Sequence, residues 1–228
     1  MKKFIAFICL SFPLVVFSQY TTQEIKKFKI SRIIKTTVNG DASETQKQEI
    51  FYDNKGNDTA TYLDGQRYKY SIYEYNAKGQ TIKRITYDHD GSENETAAYS
   101  YKPDGSYVIS NTDKQFGMTD FTYYDKLERI IKTIQPDRSE RIYTYDAKGR
   151  LVSVKSKPGA NNGIATNIQY TYNPKGQLIK EESKGEYKWT ETYTYNTKGL
   201  IAKTKRISIM DGVAEPATTS TYEYEFNK

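Results

Sequence analysis

The sequence holds one cysteine, one histidine and one tryptophan in 228 residues. Cys9, the only thiol, lies in an apolar run near the N-terminus, so disulfides, cysteine-ligated metals and cysteine nucleophiles are excluded from the rest of the chain. A multi-histidine zinc site within one chain is excluded too, because imidazole and thiolate are the ligands it would need. Any Ser-His-Asp triad would have to use His89, whose neighbours Asp88 and Asp90 sit in "YDHDGSENE", a polar hairpin tip where adjacent side chains point apart. The same tip offers oxygen ligands in Asp88, Asp90, Ser92, Glu93 and Glu95, but Ala97 stands where a calcium loop needs its terminal Glu. Glycine-rich phosphate loops are absent, and no apolar run reaches the ~20 residues of a spanning helix.

The chain does open on a targeting pattern. Met1-Lys2-Lys3 precedes the apolar "FIAFICLSFPLVVF", and Val16-Phe17-Ser18 precedes Gln19, which predicts a signal peptide over residues 1–18 cut after Ser18. Cys9 lacks the small preceding residues of a lipid-attachment site. The expected location is therefore secreted, periplasmic or at the cell surface of a bacterial envelope, with no integral membrane segment after cleavage. Lys2 and Lys3 supply two of the six net positive charges. The remaining charge is interspersed along the chain, which reads as a solvated surface, favours anionic neighbours such as acidic glycans and gives no reason to expect nucleic acid.

Tyrosine is what the chain has in excess, with twenty-two copies, many in a repeated unit. "YTYDAKGRLVSVKS" from Tyr143 returns as "YTYNPKGQLIKEES" from Tyr170 and "YTYNTKGLIAKTKR" from Tyr193. Earlier copies are "YEYNAKGQTIKRIT" from Tyr73, "YSYKPDGSYVISNT" from Tyr99 and a degraded "IFYDNKGNDTATYL" from Ile50. The anchors are Gly56, Gly79, Gly105, Gly149, Gly176 and Gly199, with Glu128 in the glycine position of one further copy, spaced by 23, 26, 23, 21, 27 and 23 residues. Variable spacing about a constant unit is the signature of a repeat array.

Each unit predicts a hairpin. Tyr-x-Tyr places two rings on one face of a strand. Asx, then a permissive residue, then usually Lys, then Gly fits a type I turn closed by a left-handed glycine and a bulge. Pro103 and Pro174 occupy the second turn position, where a fixed φ helps, and Lys at the third can point to water. Further turn signals between the units, at Asn39, Leu63, Asp88, Gln135, Pro158, Lys184 and Met210, predict one all-β antiparallel meander of about sixteen strands, a long sheet that is curved or partly rolled. "EIKKFKISRII" from Glu24 reads as the first strand, and an open meander leaves two unpaired edges, the first guarded by Lys26, Lys27 and Lys29. The domain reading is a signal peptide over 1–18, N-terminal strands or a cap over 19–49 and the repeat sheet over 50–228.

The units resemble the YD repeat of the RHS family, whose pattern is close to Tyr-x-Tyr-Asp-x-x-Gly-x-Leu, over roughly Ile50–Lys228, where "YEYEFNK" stops before its glycine. A weaker resemblance is to MORN-type repeats. The RHS resemblance implies curling β-sheets that close into shells around a toxin or serve as surface and glycan-contacting stalks. This chain has too few units for such a shell, no recognisable self-cleavage segment and no C-terminal effector. The expected function is an exported, non-catalytic binding or surface-interaction module for a glycan or an envelope protein. The alternatives are a structural or immunity-like partner of a larger RHS system and an outer-membrane barrel. No enzyme activity, cofactor or metal is expected.

Tyr143/Tyr145, Tyr170/Tyr172 and Tyr193/Tyr195 read as packed core, with Tyr187 and Trp189 extending the same face. Glu181, Glu182, Glu191, Glu223 and Glu225 read as charge pairs on a wet face. Tyr68 and Tyr70 have the opposite parity to Tyr73 and Tyr75, which puts them on the other face beside Arg67. Arg67, Tyr68 and Tyr70 are therefore the candidate ligand-binding residues.

Overall fold

The computed structural model describes residues 20–40, 42, 44–159, 165–185, 187–210 and 212–227. The predicted signal peptide lies outside them. A short helix, α1 (Thr22–Phe28), comes first. Ten strands follow: β1 (Ile30–Val38), β2 (Thr45–Tyr52), β3 (Asp58–Leu63), β4 (Gln66–Tyr75), β5 (Thr81–Asp88), β6 (Glu93–Tyr101), β7 (Tyr107–Asp113), β8 (Thr119–Tyr124), β9 (Ile130–Ile134) and β10 (Glu140–Tyr145). The rest are β11 (Leu151–Lys157), β12 (Asn167–Tyr172), β13 (Leu178–Lys184), β14 (Lys188–Tyr195), β15 (Ile201–Met210), β16 (Val213–Ala214) and β17 (Thr218–Phe226).

Consecutive strands from β1 through β16 pair antiparallel, and β17 pairs with β15 on one side and β1 on the other. The sheet therefore closes on itself. Sixteen of its seventeen strands form the wall of a barrel, with β16 folded against the end of β15. The expectation of an open, partly rolled sheet is corrected here: β1 is no edge, being paired with both β17 and β2. Closure removes the unpaired N–H and C=O rows that an open meander would present.

The start of the chain also departs from expectation. Thr21 caps α1, accepting from the Glu24 N–H while the Glu24 carboxylate accepts from the Thr21 N–H, a reciprocal capping box. Lys29 stops the helix in a left-handed conformation at φ 53°. Of the β-branched residues in the stretch read as the first strand, Ile30, Ile33 and Ile34 do lie in β1, whereas Ile25 is in the helix. Lys26 and Lys27 lie in the last helical turn and guard no edge.

Every Tyr-x-Tyr turn lies at the same end of the barrel. There the glycine N–H donates to the Asx carbonyl three residues back, at 2.9 Å for Gly149 to Asp146 and 2.9 Å for Gly176 to Asn173. The Asx side chain accepts two more backbone N–H groups, as Asp146 Oδ1 does from Lys148 and Arg150 at 2.9 Å each. The register shifts just before the second tyrosine, between Thr144 and Tyr145 for example, which is the bulge expected after a left-handed glycine. Glu128 takes the same left-handed position at φ 59° without being glycine.

In four of the units the second tyrosine ties the hairpin to the previous one. The hydroxyls of Tyr101, Tyr145, Tyr172 and Tyr195 donate to the carbonyls of Thr81, Ile130, Leu151 and Leu178 at 2.7–2.9 Å. Each acceptor lies two residues beyond the preceding glycine, or beyond Glu128 in the unit without one. Helix α1 lies across this end: Gln23 donates to Glu128 at 3.0 Å, and Tyr20 and Ile25 join Ile30, Ile33, Leu200 and Ile201 in the main buried apolar cluster.

Candidate functional site: the charged interior and the outer aromatic cluster

Strand alternation sends one set of side chains into the barrel and the other to its outer wall. The first tyrosine of each unit points inward, and the residue directly opposite it lines the interior beside it. These partners are Arg84 for Tyr73, Val154 for Tyr143, Glu181 for Tyr170 and Thr204 for Tyr193. Lys35 plays this part for Tyr222 in the last strand. Small buried hydroxyl residues, Thr61, Thr86, Thr122, Thr133, Ser183 and Ser220, alternate with the rings and make room for them. Burial raises the hydroxyl pKa of Tyr73, Tyr99, Tyr170 and Tyr193.

Two charged clusters occupy this interior. In the first, Arg84 is ion-paired to Glu95, and Asn111 Nδ2 donates to Asp120 at 2.9 Å. The Tyr73 hydroxyl donates to Asp58 Oδ1 at 2.7 Å. Burial works against the Arg84 charge, but Tyr99, Glu95 and Asp58 hold it firmly ionised. Asp120 is pushed up by burial, partly offset by the Asn111 hydrogen bond. The Arg84 Nε has no hydrogen-bond partner among the described residues.

In the second cluster Glu181 stands opposite Glu191, and Glu191 opposite Arg206. Burial lifts Glu181 to about 7, helped by the Glu191 charge and opposed by Arg206 and by the hydrogen bond from the Tyr193 hydroxyl at 2.8 Å. Lys35 is lowered to about 8, again by burial first, with Glu191 opposing the shift and Arg206 adding to it. The acids read as wet-face pairs thus divide. Glu181 and Glu191 turn inward, whereas Glu182 faces out and pairs with Lys180 at 3.1 Å. A sequence signal for the inward set existed: Arg84, Val154, Glu181 and Thr204 each lie five residues after the anchor glycine.

The outer wall carries the residues proposed from sequence. No register shift separates Tyr70 from Tyr73, so Tyr70 faces outward, where its ring stacks on Tyr87 at 5.0 Å and 14°. The Arg67 guanidinium lies 4.8 Å from the Tyr70 ring centre. Tyr68 sits at the register shift between β3 and β4 and is 43% exposed. All three residues come together near the β3–β4 connection. Trp189 lines the interior opposite Ser183, while Tyr187 lies outside β14 and is largely exposed, so it does not extend the packed face. At the His89 tip, Asp90 Oδ1 accepts from the Ser92 N–H at 2.9 Å and its hydroxyl at 2.6 Å. No group of acids and histidine suited to a metal ion occurs among the described residues.

Ion pairs also run along the outer wall: Lys132 with Glu140 at 2.7 Å, Lys83 with Glu74 at 3.4 Å and Arg32 with Glu49 at 2.6 Å. No helix among the described residues is long and apolar enough to cross a membrane.

One solved structure agrees with this architecture. The chain is similar in fold to a porin-like protein from Bacteroides uniformis, at TM-score 0.57 and 13% identity over 86% of this chain and 98% of the other. It also matches the TcdB2–TccC3–Cdc42 complex at 16% identity and the Photorhabdus luminescens Tc holotoxin pore at 17%, with TM-scores of 0.34 and 0.33. Those matches cover 78% and 72% of this chain but only 14% and 13% of theirs. No curated protein matches the chain. The teneurin YD-shell family matches residues 16–209. With that match spanning most of its length and its tyrosine-glycine hairpins closing the wall, the chain belongs to the teneurin YD-shell family of YD-repeat proteins.

Proposed function

We propose that this protein is an exported, non-catalytic scaffold of the cell envelope or cell exterior that binds a glycan through its outer wall. The observation that carries the reading is the outward cluster in which Arg67 covers Tyr70 and Tyr70 stacks on Tyr87, with exposed Tyr68 beside it. A flat tyrosine face with a polar hydroxyl and an adjacent guanidinium suits sugar rings, above all acidic ones. The interior acids support a structural rather than catalytic role, since Glu181 is held by Tyr193 and stands opposite Glu191 and near Arg206.

The test is retention of the mature protein on purified cell wall and on a panel of neutral and acidic polysaccharides, with Trp189 fluorescence as a fold reporter. Tyr68→Ala combined with Tyr70→Ala should weaken retention by at least about tenfold with the fluorescence unchanged. Retention unaffected by the double substitution, or absent from the start, overturns the glycan reading and favours an envelope protein as the partner.

The closed barrel and its porin-like neighbour raise a second reading, a barrel that spans the outer membrane. The outward ion pairs weigh against it, because a lipid-facing wall needs an apolar band. So does the five-residue β9, against the ~9–11 residues of a tilted spanning strand. Partition of the mature protein into buffer without detergent removes this reading, and partition into detergent restores it.

A further inference from the structure

Closure of the barrel gathers charge that the sequence spreads out. Each of the seven repeat turns carries one lysine: Lys55, Lys78, Lys148, Lys175 and Lys198 at the third position, Lys102 at the first and Lys126 at the second. Because these turns alternate with the connections at the other end, all seven lysines lie on one rim, where each is exposed. Lys26, Lys27 and Lys29 of the helix lying across that rim are exposed as well. The reading of the charge as interspersed is corrected in this respect.

Some lysines elsewhere are neutralised in place, although Lys155, Lys203 and Lys205 of the wall are as exposed as the rim set, and on the rim Lys55 and Lys198 lie over the rings of Tyr75 and Phe226. Lys47, Lys83, Lys114, Lys132, Lys180 and Lys184 each pair with a carboxylate on the wall or at the opposite end. Among the described residues none of the rim lysines is in an ion pair. The rim's own aspartates are engaged within their turns: Asp125 and Asp146 hold Arg129 and Arg150 at 2.6 Å, and Asp53 accepts the Lys55 and Asn57 N–H groups. The opposite end has a different character, with Glu44, Asp64, Asp90, Asp137 and Glu215 in its connections against Lys114 and Arg138.

We infer that this lysine rim docks the barrel end-on against an anionic lipid bilayer surface. Lysine-bearing turns two strands apart are spaced by about 10 Å, close to the ~8 Å Debye length at physiological salt, so neighbouring charges act on the same patch of headgroups. The charges form a ring at one end of the barrel, and a bilayer is a sheet of charge that can meet all of them at once. A linear acidic polysaccharide lying across the end meets two or three turns. One turn, Asp125-Lys126-Leu127-Glu128, also presents Leu127 at 59% exposure, an apolar side chain at the tip of a cationic rim. End-on docking leaves Arg67, Tyr68 and Tyr70, near the other end, directed away from the surface.

The experiment is cosedimentation of the mature protein with phosphatidylcholine vesicles and with vesicles that also contain phosphatidylglycerol, beside binding to a soluble acidic polysaccharide. Lys78→Glu, Lys148→Glu and Lys175→Glu together change turn positions that need no special dihedral. Lys155→Glu, Lys203→Glu and Lys205→Glu make the same change of net charge on the wall. Binding should require phosphatidylglycerol, weaken as salt rises, and fall on the order of a hundredfold in the turn variant but not in the wall variant. No binding to either vesicle, equal loss in both variants, or loss of polysaccharide binding alone would overturn the proposal. Because Tyr68 and Tyr70 are untouched in both variants, failure here is distinguishable from failure of the glycan reading.

Discussion

The Tyr224 hydroxyl in the last strand donates to the Ile201 carbonyl at 2.7 Å, and Tyr20 accepts from the Ile201 N–H at 2.6 Å. Tyr224 thereby makes the same clasp that Tyr101, Tyr145, Tyr172 and Tyr195 make to their preceding hairpins, with its acceptor again two residues beyond the anchor, Gly199. This tyrosine belongs to the last copy of the unit, "YEYEFNK". Its tyrosines complete the series and β1 takes the place of the returning strand, with Ile33 opposite Tyr224 and Lys35 opposite Tyr222.

If the clasps hold the wall together, removing one hydroxyl leaves a partly buried carbonyl without its partner. Tyr172→Phe and Tyr145→Phe should each cost about 1–2 kcal/mol. Tyr123→Phe, on the outer face, should stay within about 0.5 kcal/mol. Chemical denaturation of the three variants checks this, and equal effects would mean that the hydroxyl bonds are incidental to burial of the rings.

Gly56 and Gly79 separate backbone strain from close packing. Both have positive φ, +79° and +75°, but a Cβ on Gly56 would meet the Thr22 carbonyl at 2.6 Å, whereas one on Gly79 meets nothing within 4 Å. Gly79→Ala should cost about 1–2 kcal/mol, the left-handed penalty alone. Gly56→Ala should cost more and loosen α1, seen as faster amide exchange over Thr22–Phe28.

Glu128 pays the left-handed penalty at φ 59° and returns a hydrogen bond to Gln23 at 3.0 Å. That bond is exposed, so it recovers little. Glu128→Gly should raise the midpoint of thermal unfolding, with a gain of about 1 kcal/mol.

Glu181 makes stability depend on pH. Its folded pKa of about 7 lies above the ~4.3 of an unfolded glutamate, so the fold favours the protonated form. Stability should fall as pH rises from about 4 to about 7 and then level off. Lys35, lowered to about 8, adds a penalty that is complete below that value and relieved as pH rises toward ~10.4. Glu181→Gln keeps an acceptor for Tyr193 and should stabilise the protein by about 2 kcal/mol at pH 8. The gain should vanish at pH 4, as read by urea denaturation at the two values.

The hairpin was legible because its determinants are local. The alternation of Tyr143 and Tyr145, Asp146 as the turn's acceptor and Gly149 at positive φ are all written within seven residues. Closure was not, since it rests on Ile33 meeting Tyr224 across almost the whole chain, and no period in the sequence states how many strands complete a circle. The same ignorance hid the site. Glu181 looks like any lysine-flanked acid until the strand is known to have an enclosed side, and the turn lysines look dispersed until the turns share a rim. Residues 24–28 misled for a simpler reason: the capping box at Thr21 outweighs the strand preference of the residues that follow.

A closed wall also changes what evolution can do with a repeat. In an open array a unit is added at one end and its neighbours keep their shape. Here an added hairpin must enter a circle, widening the girth by two strands and altering the slant of all the others, so the number of units is a property of the whole molecule. Duplication of a single unit would have to be absorbed by every clasp at once, which makes the count as strongly constrained as any buried side chain.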